Sequence, residues 1–208
     1  MSTLVLIRHG QARPFQPNSD SLSETGVQQA IQLGQYWREQ GITFDEVYSG
    51  TFARHMRTAE LAGFREFHCM PEFNEYDAAG ILRSAGHVEP AKDNRELQAR
   101  FDALMPQWMA GTLDAPGVES FSEFRARVQC GLRKIIEADR PSRRVIIFTS
   151  GGPIGVAVQT VVGARDAMAL ELNWRIRNCS LTEFVFTRNR ISLDSFNGTP
   201  HLAEVTFR

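Results

Sequence analysis

Apolar and polar positions fall into two kinds of run along the chain. Leu4 to Ile7 is an unbroken apolar stretch that stops at Arg8-His9-Gly10, the pattern of a short strand covered on both faces, as in a parallel sheet. A loop-like stretch at 11–22 follows, carrying Pro14, Pro17, Asn18 and Asp20. Ser23 then offers an N-cap to a helix whose Val27, Ala30, Ile31, Gly34 and Trp37 recur at three- and four-residue intervals. Gly41 predicts the end of that helix. A second strand is expected over 44–48 and a second helix over 52–62, opening just after Ser49-Gly50-Thr51. Two strand-to-helix steps this early predict an α/β architecture.

Residues 64–118 break the rhythm. Pro71, Gly80, Gly86, Pro90 and Pro116-Gly117 punctuate loops around one amphipathic helix with Leu97, Phe101, Leu104, Met105 and Trp108. This suggests an insertion, at about 70–118, lying as a lid over the sheet. Ser120 and Glu123 form a capping box before the helix that buries Phe121, Phe124, Val128, Leu132 and Ile135. A second apolar strand at 145–148 runs into Thr149-Ser150-Gly151-Gly152-Pro153 and a helix over 154–162. Segments 179–186 and 191–196, joined by Thr187-Arg188-Asn189-Arg190, read as a hairpin at a sheet edge. The expected fold is one domain over 1–208, an α/β/α three-layer sandwich on a mainly parallel sheet.

Composition narrows the partners. Of 208 residues, 23 are Lys or Arg and 24 Asp or Glu, a net charge of −1, which supplies no general attraction for nucleic acid or anionic lipid. Three cysteines, Cys69, Cys130 and Cys179, lack disulfide or zinc spacing and are expected as reduced, mostly buried thiols. The first residues have no cationic stretch or long apolar core, and no apolar run approaches the ~18 residues of a membrane span, so a cytoplasmic protein is expected.

Ligands of open α/β sheets collect beyond the carboxyl ends of the strands. There the order of elements gathers Arg8, His9, Gly10, the turn at 49–54 and the turn at 149–152. An imidazole beside a guanidinium disfavours a metal cation but suits phosphoryl oxygens, which guanidinium groups bind through two hydrogen bonds. Helix N-termini near Phe52 and Pro153 add backbone donors for an anion. Thr149-Ser150-Gly151 is not a serine-hydrolase elbow, because position 148 holds Phe148 rather than glycine. The glycines at 151, 152 and 155 miss the frame of a dinucleotide fingerprint. Arg140, Arg143 and Arg144 read as a solvated basic edge, and His68, His87 and His201 as structural.

Leu6-Ile7-Arg8-His9-Gly10-Gln11 resembles the signature of the histidine phosphatase superfamily, which includes phosphoglycerate mutases and small phosphatases. The resemblance extends through Leu22-Ser23-Glu24-Thr25-Gly26-Val27-Gln28-Gln29-Ala30, through 47–59 with Arg54, and through Phe73-Asn74-Glu75. Gly117-Val118-Glu119-Ser120, Asn178, Phe196-Asn197 and His201-Leu202 fall in family order. The resemblance implies a phosphoglycerate mutase-like fold and a small phosphorylated substrate, with no metal, cofactor, nucleic acid or membrane partner. It implies that His9 attacks phosphorus, that Arg8 and Arg54 hold the phosphoryl oxygens, and that Glu75 protonates the leaving alkoxide. Gln11 would add a neutral hydrogen bond to phosphate and Gly10 a close backbone approach. Glu72 stands near enough to compete with Glu75 for its role.

One departure stands out. Relatives carry a second histidine in a Ser-His-Gly-Gly turn, where this chain has Thr149-Ser150-Gly151-Gly152, so Ser150 replaces that imidazole. Exchanging a charged donor for a hydroxyl forfeits about 1.5–3 kcal/mol, or about tenfold to a hundredfold in rate. On that account Ser150→His is expected to speed phosphorylation. His55 lies on the same turn as Arg54, but neighbouring side chains of a helix diverge by about 100°, which argues against His55 joining the site. The implied activity is metal-independent hydrolysis of a phosphomonoester. The alternatives are mutase-type phosphoryl transfer and a weak or inactive module that only binds a phosphate ligand. Arg83, His87, Lys92 and Arg95 in the insertion fit an acidic substrate and a solvated surface equally well.

Overall fold

The computed structural model describes residues 1–13, 20–89, 91–138, 140 and 142–207; Pro14, Pro17, Asn18 and Pro90 lie outside them. Strands β1 (Ser2–Arg8), β2 (Glu46–Ser49), β3 (His68–Cys69), β4 (Arg144–Thr149), β5 (Leu181–Thr187) and β6 (Arg190–Gly198) form one sheet in the order β3-β2-β4-β1-β5-β6. The first four run parallel. The hairpin β5-β6 is antiparallel and joins the sheet through β1, so the sheet is mixed.

Helices α1 (Glu24–Glu39) and α2 (Ala53–Leu61) cover one face. On the other lie α3 (Ala78–Ser84), α4 (Asn94–Ala110), α5 (Phe121–Ile136), α6 (Gly151–Val162) and α7 (Ala167–Asn173). Alternation along the two central strands divides the core. Val5, Ile7, Ile146 and Phe148 pack with Leu33, Trp37 and Ala59, whereas Leu4, Leu6, Val145 and Ile147 pack with Phe124, Val128 and Ile154. All eight strand positions are buried, and each large apolar side chain so buried contributes about 1.5–3 kcal/mol. That anchors the two strands on which the crevice is built.

The N-caps follow the sequence: Ser23 accepts from Gly26 N, and Ser120 and Glu123 complete their capping box. Helix α6 begins at Gly151, three residues before the expected start, because the turn after β4 is itself the first turn of the helix. Helices α3 and α7 and strand β3 were not anticipated. Phe101, Leu104, Met105 and Trp108 of α4 share a core cluster with Phe121 and Phe124 of α5. Arg143 departs from the solvated-edge reading: it is 4% exposed and donates to both carboxylate oxygens of Glu46 at 2.7 Å. Cys179 is buried, Cys130 half-buried and Cys69 exposed on edge strand β3, so the thiols are not mostly buried. Among the described residues no helix is long and apolar enough to cross a membrane.

Candidate active site

Register brings the strand ends together. Arg8 pairs with Thr149 and Ser49 with Phe148, so β1, β2 and β4 release their chains at one edge. His9 N–H still donates to Thr149 O at 2.9 Å. The His9 carbonyl accepts from Asn178 Nδ2 and Cys179 N, both at 3.3 Å. Gly10 N–H donates to Thr58 Oγ1 at 3.1 Å, and that hydroxyl donates to Arg54 O at 2.7 Å, tying the loop to α2. A Cβ on Gly10 would lie 2.4 Å from Gly26 O, and one on Gly26 2.2 Å from Gln11 O. The loop therefore rests backbone to backbone on α1. Gln11 turns its Oε1 to the Ser23 hydroxyl at 2.8 Å.

The His9 tautomer follows from its neighbours. Nδ1 lies 2.7 Å from Gly10 O, and a carbonyl only accepts, so Nδ1 carries the hydrogen and Nε2 keeps its lone pair. Burial, with Arg54, Arg8 and His55 adding positive charge or competition, holds the imidazole well below its ordinary 6.5. The ring is neutral at neutral pH.

Arg54 is the centre of the arrangement. Its Nε donates to His9 Nε2 at 3.2 Å, Nη2 to Ser150 Oγ at 3.4 Å and Nη1 to Asp20 Oδ1 at 2.8 Å. The Asp20 carboxylate also accepts from the backbone of Ala53 at 2.7 Å and of Arg54 at 3.3 Å, capping α2. Phe52 lies beneath the guanidinium, 4.6 Å from ring centroid to Cζ. Arg8, at the end of β1, donates from Nη1 to Ile176 O.

His55 overturns the expectation that it points away. It is fully buried, with Nε2 2.6 Å from Ser150 Oγ and its ring centroid 5.6 Å from that of His9. The 100° rule concerns the lateral faces of a helix. Arg54 and His55 stand in the first turn of α2, where Cα–Cβ bonds tilt toward the N-terminus and side chains reach past the helix end. Both therefore enter the crevice. Ser150 is fully buried against this ring. An imidazole at position 150 would compete with His55 for the same place, so a gain from Ser150→His requires His55 to give way.

Glu75, rather than Glu72, faces the crevice. Its Oε2 accepts from Gly152 N at 3.0 Å and its Oε1 from Tyr76 N at 3.2 Å, whereas Glu72 pairs with Lys134. Burial pushes the Glu75 carboxyl above its ordinary 4.5, against the opposing pull of Gly152 N–H and of Arg54. A Cβ at position 152 would come within 1.9 Å of Oε1, so glycine at the start of α6 makes the seat for this carboxyl. The preceding turn is clamped. Arg127 donates to Pro71 O at 2.9 Å and to Glu72 O and Asn74 O at 3.0 Å, and Thr149 Oγ1 donates to Phe73 O at 2.6 Å.

A lone-pair nitrogen, the Arg54 guanidinium bonded to it, the charge of Arg8 nearby, a hydroxyl and a carboxyl of raised pKa together suit an anionic group that undergoes nucleophilic attack. Among the described residues no group of three His, Cys, Asp or Glu side chains could hold a metal ion. The sequence model of the histidine phosphatase superfamily (branch 1) matches residues 4–199. The chain belongs to that superfamily.

Within this histidine phosphatase family the chain is 32% identical over 194 residues to a Citrobacter koseri protein named "probable phosphoglycerate mutase GpmB", covering 88% of this chain and 84% of that one. The Salmonella paratyphi B protein of the same name is 31% identical over 202 residues, covering 91% and 87%. In fold, the chain is similar to a phosphoserine phosphatase mutant from Entamoeba histolytica solved with phosphoserine (TM-score 0.67, 24% identity, 97% of this chain and 100% of that one). It is also similar to phosphoglycerate mutase from Bacillus anthracis (TM-score 0.68, 20% identity, 96% and 94%). The family pattern in the sequence pointed to His9, Arg8, Arg54 and Glu75. It did not point to Asp20, it held Thr58 and Gly152 in its segments without giving them these roles, and for His55 the sequence offered only its place beside Arg54 and the serine at 150 where a histidine was expected.

Proposed function

We propose that this protein is a phosphomonoesterase that works without a metal, through a phosphohistidine on His9. The observation that carries the reading is the His9 Nε2 lone pair held in a crevice with Arg54, across from a carboxyl of raised pKa. A substrate phosphoryl group takes the Arg54 Nε hydrogen bond, which releases Nε2. Nε2 then attacks phosphorus as the ester P–O bond breaks. The electron pair goes to the alkoxide oxygen, and Glu75 supplies its proton. In the second half water attacks phosphorus, its proton passes to the Glu75 carboxylate, and the N–P bond opens to release inorganic phosphate. Arg8 and Arg54 offset charge on the equatorial oxygens in both halves. Gln11 adds a neutral hydrogen bond to the anion, while Gly10, its N–H held by Thr58 Oγ1, serves by letting the loop lie close on α1.

The names of the relatives favour a second use of the same chemistry, in which a substrate hydroxyl replaces water. Product analysis in the presence of a hydroxylated acceptor separates transfer from hydrolysis.

Glu75 sets a pH dependence and a leaving-group dependence. Because its pKa is raised, the acid form persists above 4.5, while His9 stays neutral below 6.5. Phosphorylation by alkyl monoesters is therefore fastest in mildly acidic solution and falls as pH rises through the Glu75 pKa. Glu75→Gln is expected to slow the pre-steady-state burst with an alkyl monoester by about 10²–10⁴-fold. With p-nitrophenyl phosphate, whose leaving group departs unprotonated, the loss should be under about tenfold. Equal losses on the two esters would remove Glu75 as the acid.

A further inference from the structure

The crevice holds two buried imidazoles, and the reaction proposed above uses one. His55 Nε2 meets Ser150 Oγ at 2.6 Å, while Nδ1 is buried without a partner. Glycine at 50 makes this pose possible, since a Cβ there would lie 2.3 Å from Nδ1 and 2.9 Å from Asn74 Oδ1. Phe52 packs on the ring with centroids 5.4 Å apart.

The hydrogen positions follow from the partners. Burial and the nearby Arg54 charge hold the His55 pKa well below 6.5, so the ring carries one proton. On Nδ1 that proton would be a buried donor without an acceptor, the rarest kind of unmet hydrogen bond; on Nε2 it has Ser150 Oγ. Arg54 Nη2 donates to the same oxygen at 3.4 Å. A hydroxyl oxygen has two lone pairs and one hydrogen. With both lone pairs taken, the hydrogen has only the remaining direction. Ser150 Oγ accepts no capping bond from the N–H groups of α6 either, so His55 and Arg54 are the donors that fill its lone pairs.

We propose that His55 is a positioning residue which, together with Arg54, makes Ser150 an obligate hydrogen-bond donor to the transferring phosphoryl group. An imidazole on α2 and a hydroxyl after β4 thus divide the place that the second histidine of relatives fills alone. The pair supplies direction and polarisation, while Arg54 and Arg8 supply the charge. The proposal rests on His9 being the nucleophile.

The test is the single-turnover phosphorylation rate of four variants. Ser150→Ala and His55→Leu should each be slower by about a hundredfold. Their combination should stay within about threefold of the slower single variant, because His55 acts through Ser150. His55→Gln, whose amide nitrogen reaches the place of Nε2 and keeps an N–H there, should recover to within about fivefold of the unaltered protein. In the unaltered protein, ¹⁵N NMR should find the His55 hydrogen on Nε2, a readout that needs no variant to fold. A wild-type rate in His55→Leu, a His55→Gln as slow as His55→Leu, a double variant showing the product of both losses, or a hydrogen on Nδ1 would each overturn the proposal. Failure of the nucleophile assignment looks different: His9→Ala would then still turn over. A labelled His9 beside a fully active His55→Leu would sink this proposal alone.

Discussion

Replacing His9 by alanine is expected to slow hydrolysis of every phosphomonoester by on the order of 10⁴-fold or more, the usual cost of deleting the attacking group. The fold should survive the change. His9 is 6% exposed, but the loop is held by backbone bonds to Thr149, Thr58 and Asn178 that do not involve its ring. The variant also frees Arg54 Nε for an anion, so inorganic phosphate should bind His9→Ala at least as well as the parent. Steady-state kinetics and phosphate titration read both effects. A rate within tenfold of the parent would remove the nucleophile from the mechanism. Phosphate binding by the parent with no turnover on any ester would instead identify a binding module.

Arg54→Ala should be nearly as damaging. One guanidinium bonds His9, Ser150 and Asp20, so its removal takes away an oxygen-binding fork, a donor to the serine and the partner of a carboxylate at the rim. A loss of about 10³-fold in kcat/KM, equivalent to about 4 kcal/mol, is the scale for an arginine that stabilises a transferring phosphoryl group. The Asp20 carboxylate stays on the first N–H groups of α2 and then repels substrate without compensation, so KM rises while kcat falls. Lysine should not restore the rate, because an ammonium ion cannot span three acceptors in one plane. Arg54→Lys within tenfold of the parent would show that charge alone suffices.

The unbroken apolar runs at Leu4–Ile7 and 145–148 foretold two central strands because a strand covered on both faces cannot afford polar positions, and both pack into two separate clusters. Their ends therefore named most of the crevice. Short elements escaped: β3 has two residues, too few for any period, and Gly80 interrupts the helical pattern of α3. Spacing could not choose between Glu72 and Glu75, since the choice is made by Arg127 and Thr149 from distant elements. Arg143 is buried because Glu46 of the neighbouring strand β2, the Ile135 carbonyl and the Phe186 ring all receive its guanidinium. His55 was set aside by a rule for helix sides that does not hold at a helix end. Asp20 belongs to a loop whose side chains follow no period, so its bond to Arg54 is visible only in three dimensions.

Rapid quenching of the protein mixed with a ³²P-labelled monoester, followed by peptide mapping, addresses the nucleophile most directly. An acid-labile, base-stable label on the peptide containing His9, formed at least as fast as steady-state turnover, is the expected result. Turnover without any such label, or with the label on another residue, would contradict it.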